Sequence, residues 1–85
     1  MRTPRAHSID RAVARVLHNC GTYMCPENVL RAEVVSLVIP PPSASEIDDS
    51  IRHLDTERCL TGIPAPTGTK WKLSDTGRAW HAENS

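Results

Sequence analysis

Three cysteines and one nearby histidine could together supply the four ligands of a metal site. Cys20 and Cys25 are separated by four residues, His18 precedes them, and Cys59 lies far along the chain. Structural zinc sites normally contain a second short-range Cys or His pair, which this sequence lacks. We therefore expect the cysteines to serve as small apolar residues, and predict neither a metal nor a cofactor. Cys25 precedes Pro26 at a predicted helix start, where a helix dipole stabilises thiolates, so a reactive thiol is the alternative.

Two pairs of acidic residues could suggest acid–base catalysis: Asp48 with Asp49, and Asp55 with Glu57. Residues on a helix diverge by about 100° per position, so neither pair can act on one substrate atom. The sequence contains no Gly-rich phosphate loop, no Gly-x-Ser-x-Gly and no His-Glu-x-x-His pattern. A chain of 85 residues also has little core in which to build an active site. We predict no catalytic residue and a protein that is not an enzyme.

Positive charge is concentrated at the beginning of the chain, although Lys plus Arg equals Asp plus Glu at ten each. Residues 1–18 carry a net charge of +3, whereas residues 43–57 carry −4. Arg11 and Arg15 lie one helical turn apart on the exposed side of the first helix. Such a charged row is usually a solvated face, but it is also the predicted basic surface for nucleic-acid binding. Residues 1–7 are predicted to form a flexible basic tail, which could act as an arm.

Residues 43–57 predict a helix that carries most of the candidate binding residues. Ser43 and Glu46 have the spacing of a capping box, and Ile47, Ile51 and Leu54 recur at helical spacing behind it. These three apolar residues define the buried side. At about 100° per residue, the exposed centre consists of Ser45, Asp49, Arg52, His53 and Thr56. Most of the acidic residues of this helix then lie on its flanks.

A β-hairpin is predicted after this helix, with strands at residues 60–63 and 70–73. The loop between them is rich in Pro and Gly, which favour turns. In the second strand, Trp71 and Leu73 are expected inward, and Lys70 and Lys72 outward. Gly62 suits an edge strand or a bulge.

The first half of the chain predicts two further helices and one short strand. Ser8 is the expected cap of the first helix, with Asp10 in its first turn, and Gly21 ends it. Residues 22–24 are expected to form a strand that pairs with the hairpin. After the hairpin, Ser74 is expected to cap a short last helix, with a tail at residues 83–85.

The second helix is predicted to begin at Pro26, which suits the first helical position. Its expected inward residues are Leu30, Val34, Leu37 and Val38. Adjacent β-branched residues leave a strand possible over residues 34–39. Three prolines at positions 40–42 end this segment.

Residues 70–79, KWKLSDTGRA, resemble the end of the wing in MarR-like and PadR-like winged-helix domains. In those families a strand that contains an aromatic residue is followed by Leu, then by Ser or Thr, then by two variable residues, Gly and Arg. A helix begins within this stretch. The order of predicted elements extends the similarity over residues 8–81. The resemblance implies a small α+β winged helix-turn-helix domain with helix three in the DNA major groove and the wing over the backbone. The DNA-contacting residues that it implies are Ser45, Asp49, Arg52, His53 and Thr56 on helix three, with Lys70 and Lys72 on the wing.

Two functions therefore follow from the sequence. The first is a non-enzymatic DNA-binding module with a regulatory role, in which Arg11 and Arg15 add to the basic surface. The second is a winged helix that binds a protein partner through its acidic third helix or its wing. The chain has no apolar run long enough to span a membrane and no signal peptide, which predicts a cytoplasmic protein. We expect a monomer or a weak homodimer.

Overall fold

Four helices and three short strands follow one another in a computed structural model that describes residues 2–85. The helices are α1 (Pro4–Asn19), α2 (Glu27–Leu37), α3 (Ala44–Thr56) and α4 (Asp75–Asn84). The strands are β1 (Cys25–Pro26), β2 (Leu60–Ile63) and β3 (Lys70–Leu73), which form an antiparallel sheet in the order β1-β3-β2. This architecture confirms the predicted α+β fold with a hairpin wing, a short third strand and a short C-terminal helix.

Helix α1 begins five residues earlier than predicted. Thr3 is its N-cap and accepts a hydrogen bond from the Ala6 amide at 3.0 Å, and Pro4 occupies the first turn. Ser8 is therefore not the cap, because Thr3-Pro4 supplies both a capping hydroxyl and a proline suited to a helix start. Residues 4–7, predicted as tail, are helical. Met1 of that predicted tail lies outside the described residues.

Strand β1 and helix α2 also differ from the prediction in detail. The strand that pairs with the hairpin is Cys25–Pro26 rather than residues 22–24, because Cys25 lies opposite Trp71 in the ladder. Pro26 is consequently the N-cap of α2 and not its first helical residue. The helix continues to Leu37, so the alternative of a strand over residues 34–39 is wrong. Leu37 was expected inward, but its side is not covered by another element and it is 43% exposed.

The hairpin has the predicted bounds. Gly62 on the edge strand β2 lies opposite Trp71, and a Cβ atom at Gly62 would come within 2.5 Å of the indole ring. The absence of a side chain there lets the ring lie over the neighbouring strand. Helix α4 is capped by Ser74 as predicted, but it extends to Asn84 and so includes most of the tail expected at residues 83–85.

The core lies where α1 meets the other three helices and β3. Its least exposed apolar side chains are Ile9, Val13, Leu17, Leu30, Val34 and Leu54. Because α3 contributes one side to this core, its opposite side faces away from the domain. No helix within residues 2–85 combines the length and apolar character needed to cross a membrane.

Candidate nucleic-acid interface

Helix α3 presents most of the predicted binding residues. Its start is held by the predicted capping box: the Glu46 amide donates to Ser43 Oγ at 3.2 Å, and the Ser43 amide donates to Glu46 Oε1 at 3.0 Å. The predicted apolar residues Ile47, Ile51 and Leu54 are buried. On the other side, Ser45, Asp49, Arg52 and Thr56 are exposed and His53 is half-buried. These five residues form what we call the α3 face.

Three acidic residues of α3 are paired with arginines from other parts of the chain. The pairs are Arg2 with Asp49 at 2.9 Å, Arg5 with Glu46 at 3.0 Å, and Arg31 with Asp48. The partners are separated by 47, 41 and 17 positions in the chain. No local spacing pattern reveals such pairs, so the sequence analysis missed them. The two arginines of the predicted basic tail thus lie against α3.

The pairing of Glu46 changes its titration. The hydrogen bond from Arg5 is the largest cause that lowers the pKa of Glu46 from 4.5 to about 2, and the Ser43 backbone amide adds to it. Both donors favour the ionised carboxylate. Glu46 is therefore a permanent anion at neutral pH whose charge is matched by a guanidinium.

A buried carboxylate links α1 to α3. Asp10 is 1% exposed and accepts a hydrogen bond from Ser50 Oγ at 2.6 Å. Arg2 donates to both of its oxygens, from Nη2 at 2.9 Å and from Nε at 3.0 Å. Burying a charge is costly unless it is paired and hydrogen-bonded, and both conditions are met here. Because Arg2 also binds Asp49, this cluster fixes the position of α3 relative to α1.

A shallow depression of about 250 Å³ lies where α2, α3 and β3 meet, and Arg52 and Trp71 line it. Trp71 is held there because its Nε1 donates to Glu27 Oε1 at 3.0 Å. Arg52 is exposed and makes no ion pair with any residue in the described part of the chain. It is therefore the cation of the α3 face that is available to a ligand.

The wing lysines lie on the other side of the sheet from this depression. Lys70 is exposed and Lys72 half-buried, and strand alternation places both opposite to Trp71 and Leu73. They extend the positive surface along the hairpin but do not line the same depression as Arg52.

The two predicted binding residues on α1 are in a different place. Asp10 points to α3, and helix geometry puts Arg11 about 100° and Arg15 about 140° away from it. Both arginines line a groove bounded by α4 and the end of α2. This groove shares no lining residue with the depression that holds Arg52. The structure thus brings the α3 residues together and separates Arg11 and Arg15 from them.

The order of three helices and a hairpin, with a short strand completing the sheet, has a counterpart among solved structures. F93 from STIV, described as a winged-helix DNA-binding protein, matches this chain with a TM-score of 0.76. The match covers 96% of this chain and 86% of that one at 21% sequence identity. The chain folds as a winged helix. No protein-family model and no curated protein matches the sequence, so the resemblance to MarR-like and PadR-like domains stays a prediction.

The cysteines of this winged helix have the surroundings of core residues. Cys25 and Cys59 are buried and Cys20 is half-buried. Burial, followed by the neighbouring Cys20, raises the pKa of Cys25 to about 11, opposite to the shift of a reactive thiol. Within residues 2–85, no group of three or more potential ligands is placed to hold a metal ion.

Proposed function

We propose that this winged helix binds duplex DNA in a regulatory role, with α3 in the major groove and the β2–β3 wing beside the phosphate backbone. The observation that carries the proposal is the polar, largely exposed α3 face, on which Arg52 has no ion pair within residues 2–85. Arginine donates two hydrogen bonds to guanine in the major groove, and serine, threonine and aspartate also contact base edges. The likeness to F93, which is described as DNA-binding, supports the same reading.

The ion pairs of α3 favour DNA over a basic protein partner. Four flanking acids counted from the sequence would repel phosphates, but the charges of Glu46 and Asp48 are matched by Arg5 and Arg31. Matching an acid with a guanidinium reduces the negative potential over the helix. It also removes acidic side chains that a basic protein partner would need. Binding of a protein partner is the second candidate function.

Each predicted contact has its own role in the proposed complex. Arg52 reads a base, with Ser45, Asp49, His53 and Thr56 around it on the α3 face. Lys70 and Lys72 contact phosphates beside the wing, where a positive charge positions the domain without reading sequence. Arg11 and Arg15 line a different groove, so the interface that we propose does not include them.

The direct test is titration with mixed-sequence duplex DNA at about 50 and 200 mM salt. With about four phosphate contacts, the slope of log affinity against log salt should be about −3 to −4. Absence of binding at the lower salt concentration would reject DNA binding and favour the protein-interaction module. The second function is tested by capturing protein partners with the parent chain and with a variant in which Asp48, Asp49 and Asp55 are neutralised. If both capture the same partners, the acidic surface is rejected as the protein-binding site.

A matched pair of variants tests the role of the α3 face. Arg52→Gln should lower affinity for a selected duplex by about tenfold and relax base preference at one position. Arg11→Gln removes the same charge from another exposed helical site, and should change affinity far less. Equal losses in both variants would indicate a general charge effect and reject α3 as the reading helix.

The proposal includes a cytoplasmic location and a monomer or weak homodimer. A homodimer would bind two half-sites separated by one turn of the duplex, whereas a monomer needs one site. Sedimentation velocity over a range of protein concentrations, with and without duplex, distinguishes the two states.

A further inference from the structure

Arg52 has three acidic neighbours on its own helix, yet it pairs with none of them within residues 2–85. Asp48 lies four positions before it and Asp49 three positions before it, which are the spacings at which side chains meet on a helix. An acid that precedes a base stabilises a helix better than the reverse order, so Asp55, three positions after Arg52, is a weaker partner. Local spacing alone therefore favours a pair of Arg52 with Asp48 or Asp49.

Both favoured acids are instead bound by arginines from outside α3. Arg2 Nη1 donates to Asp49 Oδ2 at 2.9 Å, and Arg31 of α2 donates to Asp48. The hydrogen bond to Asp48 is the largest cause that raises the pKa of Arg31. A carboxylate whose charge is already matched by one guanidinium attracts a second one less strongly. The two long-range pairs thus compete with the local pairs that would occupy Arg52.

Arg31 is itself positioned by contacts that reach the wing. Its Nε donates to Glu27 Oε2 at 3.4 Å, one turn earlier in α2. Trp71 of β3 donates from Nε1 to Glu27 Oε1 at 3.0 Å, and the Glu27 amide donates to the Thr69 carbonyl oxygen at 3.0 Å. The side chains of Trp71, Glu27, Arg31 and Asp48 therefore form a continuous series of contacts from β3 to α3, which we call the wing–helix network.

The wing–helix network surrounds Arg52. All four of its members line the same depression as Arg52, between α2, α3 and β3. The side chains of Arg31 and Asp48 are 30% and 47% exposed, and ion pairs at such exposure contribute little to stability. The main consequence of this pair is therefore which acid is left to bind Arg52.

We propose that Arg31 is a positioning residue that determines base preference, because it holds Asp48 and so keeps Arg52 available to a base. This inference rests on the proposed DNA binding, and it assigns part of the sequence preference to a residue outside the reading helix. Without Arg31, Asp48 competes with guanine for the Arg52 guanidinium. Preference at that base pair then falls, whereas the phosphate contacts of the wing, which do not read sequence, are retained.

The first experiment is made without DNA. In Arg31→Gln, the guanidinium protons of Arg52 should exchange with water more slowly in NMR spectra than in the parent chain, because a carboxylate now accepts them. Adding Asp48→Asn should return the exchange rate to the parent value, since a neutral amide does not form the charge-assisted bond.

The second experiment measures base preference at the pair where Arg52→Gln relaxes it. Preference is the ratio of the affinities for the selected duplex and for a duplex with that one base pair replaced. Arg31→Gln should lower this ratio about two- to fivefold, and Arg31→Gln with Asp48→Asn should restore it. The double variant still lacks the ion pair between positions 31 and 48, so a purely structural role of that pair predicts no rescue.

Arg5→Gln is the matched control. It removes the same charge from another arginine that pairs with an acid of α3. That acid, Glu46, lies six positions before Arg52, which is not a spacing at which helical side chains meet. Base preference should therefore stay at the parent value in this variant, even where the overall affinity falls.

Three outcomes would overturn the proposal. Parent-like exchange of the Arg52 guanidinium protons in Arg31→Gln would mean that Asp48 does not compete for them. Failure of Asp48→Asn to restore the ratio would assign the effect to structure, and an equal loss in Arg5→Gln would assign it to net charge. Absence of DNA binding by the parent chain would reject the proposed function instead, and the exchange rates would separately decide whether Arg31 keeps Arg52 unpaired.

Discussion

Gly77 limits how closely α4 can approach the rest of the domain. A Cβ atom at this position would lie 2.0 Å from the carbonyl oxygen of Cys59 and 3.0 Å from the Leu73 side chain. The same carbonyl accepts the Ser74 amide at 3.0 Å, so it cannot move without breaking that bond. The glycine in the Leu-Ser-x-x-Gly-Arg step is therefore required by packing between α4 and the backbone before β2.

Replacing Gly77 by alanine should destabilise the domain by about 3 kcal/mol, because the methyl group would force α4 away from Cys59. The expected gain in helix propensity, about 1 kcal/mol, is too small to offset this. Urea unfolding measures the change. Thr76→Ala, an exposed neighbour in the same helix, is the control and should stay within about 0.5 kcal/mol of the parent. A Gly77 variant as stable as the parent would contradict the close contact.

Glu46 should make stability depend on pH in the acid range. Its folded-state pKa of about 2 is below the ordinary 4.5, so the folded state binds its proton less readily than the unfolded state. The resulting stabilisation is present above pH 4.5 and is lost as the pH falls through 4.5 towards 2. Melting temperatures of the parent chain and Glu46→Gln should therefore converge over that interval.

A second measurement checks the cause of this pH dependence. The Glu46 carboxyl carbon should titrate by NMR near pH 2 in the parent chain. In Arg5→Gln its pKa should rise towards the ordinary value, since the hydrogen bond from Arg5 is the largest cause of the shift. An unchanged titration in that variant would assign the shift to the capping box instead.

At the scale of elements, α1 positions the proposed reading helix through polar as well as apolar contacts. Asp10 and Arg2 reach α3 through Ser50 and Asp49, while Ile9 packs in the core beside them. The hydrogen bonds are directional, so they restrict rotation of α3 about its own axis in addition to the apolar packing. We therefore expect this cluster to determine which residues of α3 face outward.

Asp10→Ala should destabilise the domain by about 3 kcal/mol. The substitution leaves the buried Ser50 hydroxyl without its acceptor and the partly buried Arg2 guanidinium without a carboxylate partner. Arg11→Ala, the next residue on the exposed side, should change stability by no more than about 0.5 kcal/mol. A double-mutant cycle with Ser50→Ala should give a coupling energy of about 1–2 kcal/mol. Additive effects would show that the two side chains do not interact.

At the scale of the whole molecule, the charges are arranged differently from their order in the chain. The chain has a basic beginning and an acidic middle, yet folding brings Arg2 and Arg5 onto the acidic helix. Exposed ion pairs contribute little to stability, but they change the potential that a charged ligand meets. Although the net charge is zero, three acids of α3 are paired with arginines, whereas Arg11 and Arg15 have no ion pair within residues 2–85.

Removing the matching arginines should weaken DNA binding more than removing the unmatched ones. Arg5→Gln with Arg31→Gln leaves Glu46 and Asp48 unpaired, and should lower duplex affinity by about tenfold at about 50 mM salt. The difference should shrink at about 200 mM salt because of screening. The double variant of Arg11 and Arg15 loses the same total charge and is the control. Equal losses would imply that only the net charge matters.

Local patterns were sufficient to predict most of the secondary structure. The capping box at Ser43, the strand bounds at residues 60–63 and 70–73, and the cap at Ser74 all depend on residues within a few positions of one another, and all are confirmed. The start of α1 was predicted wrongly because two local signals compete there. Thr3-Pro4 and Ser8 could each begin α1, and the earlier cap extends the helix by a turn.

The winged-helix architecture and the outward residues of α3 could be predicted from the sequence, because helix and strand periodicity are local properties of the chain. The pairing of Arg2, Arg5 and Arg31 with acids of α3 could not, and neither could the position of Arg11 and Arg15 on a separate groove. Charge pairing depends on distances in space between residues up to 47 positions apart. Such distances follow from packing of the whole core, which no short-range pattern encodes.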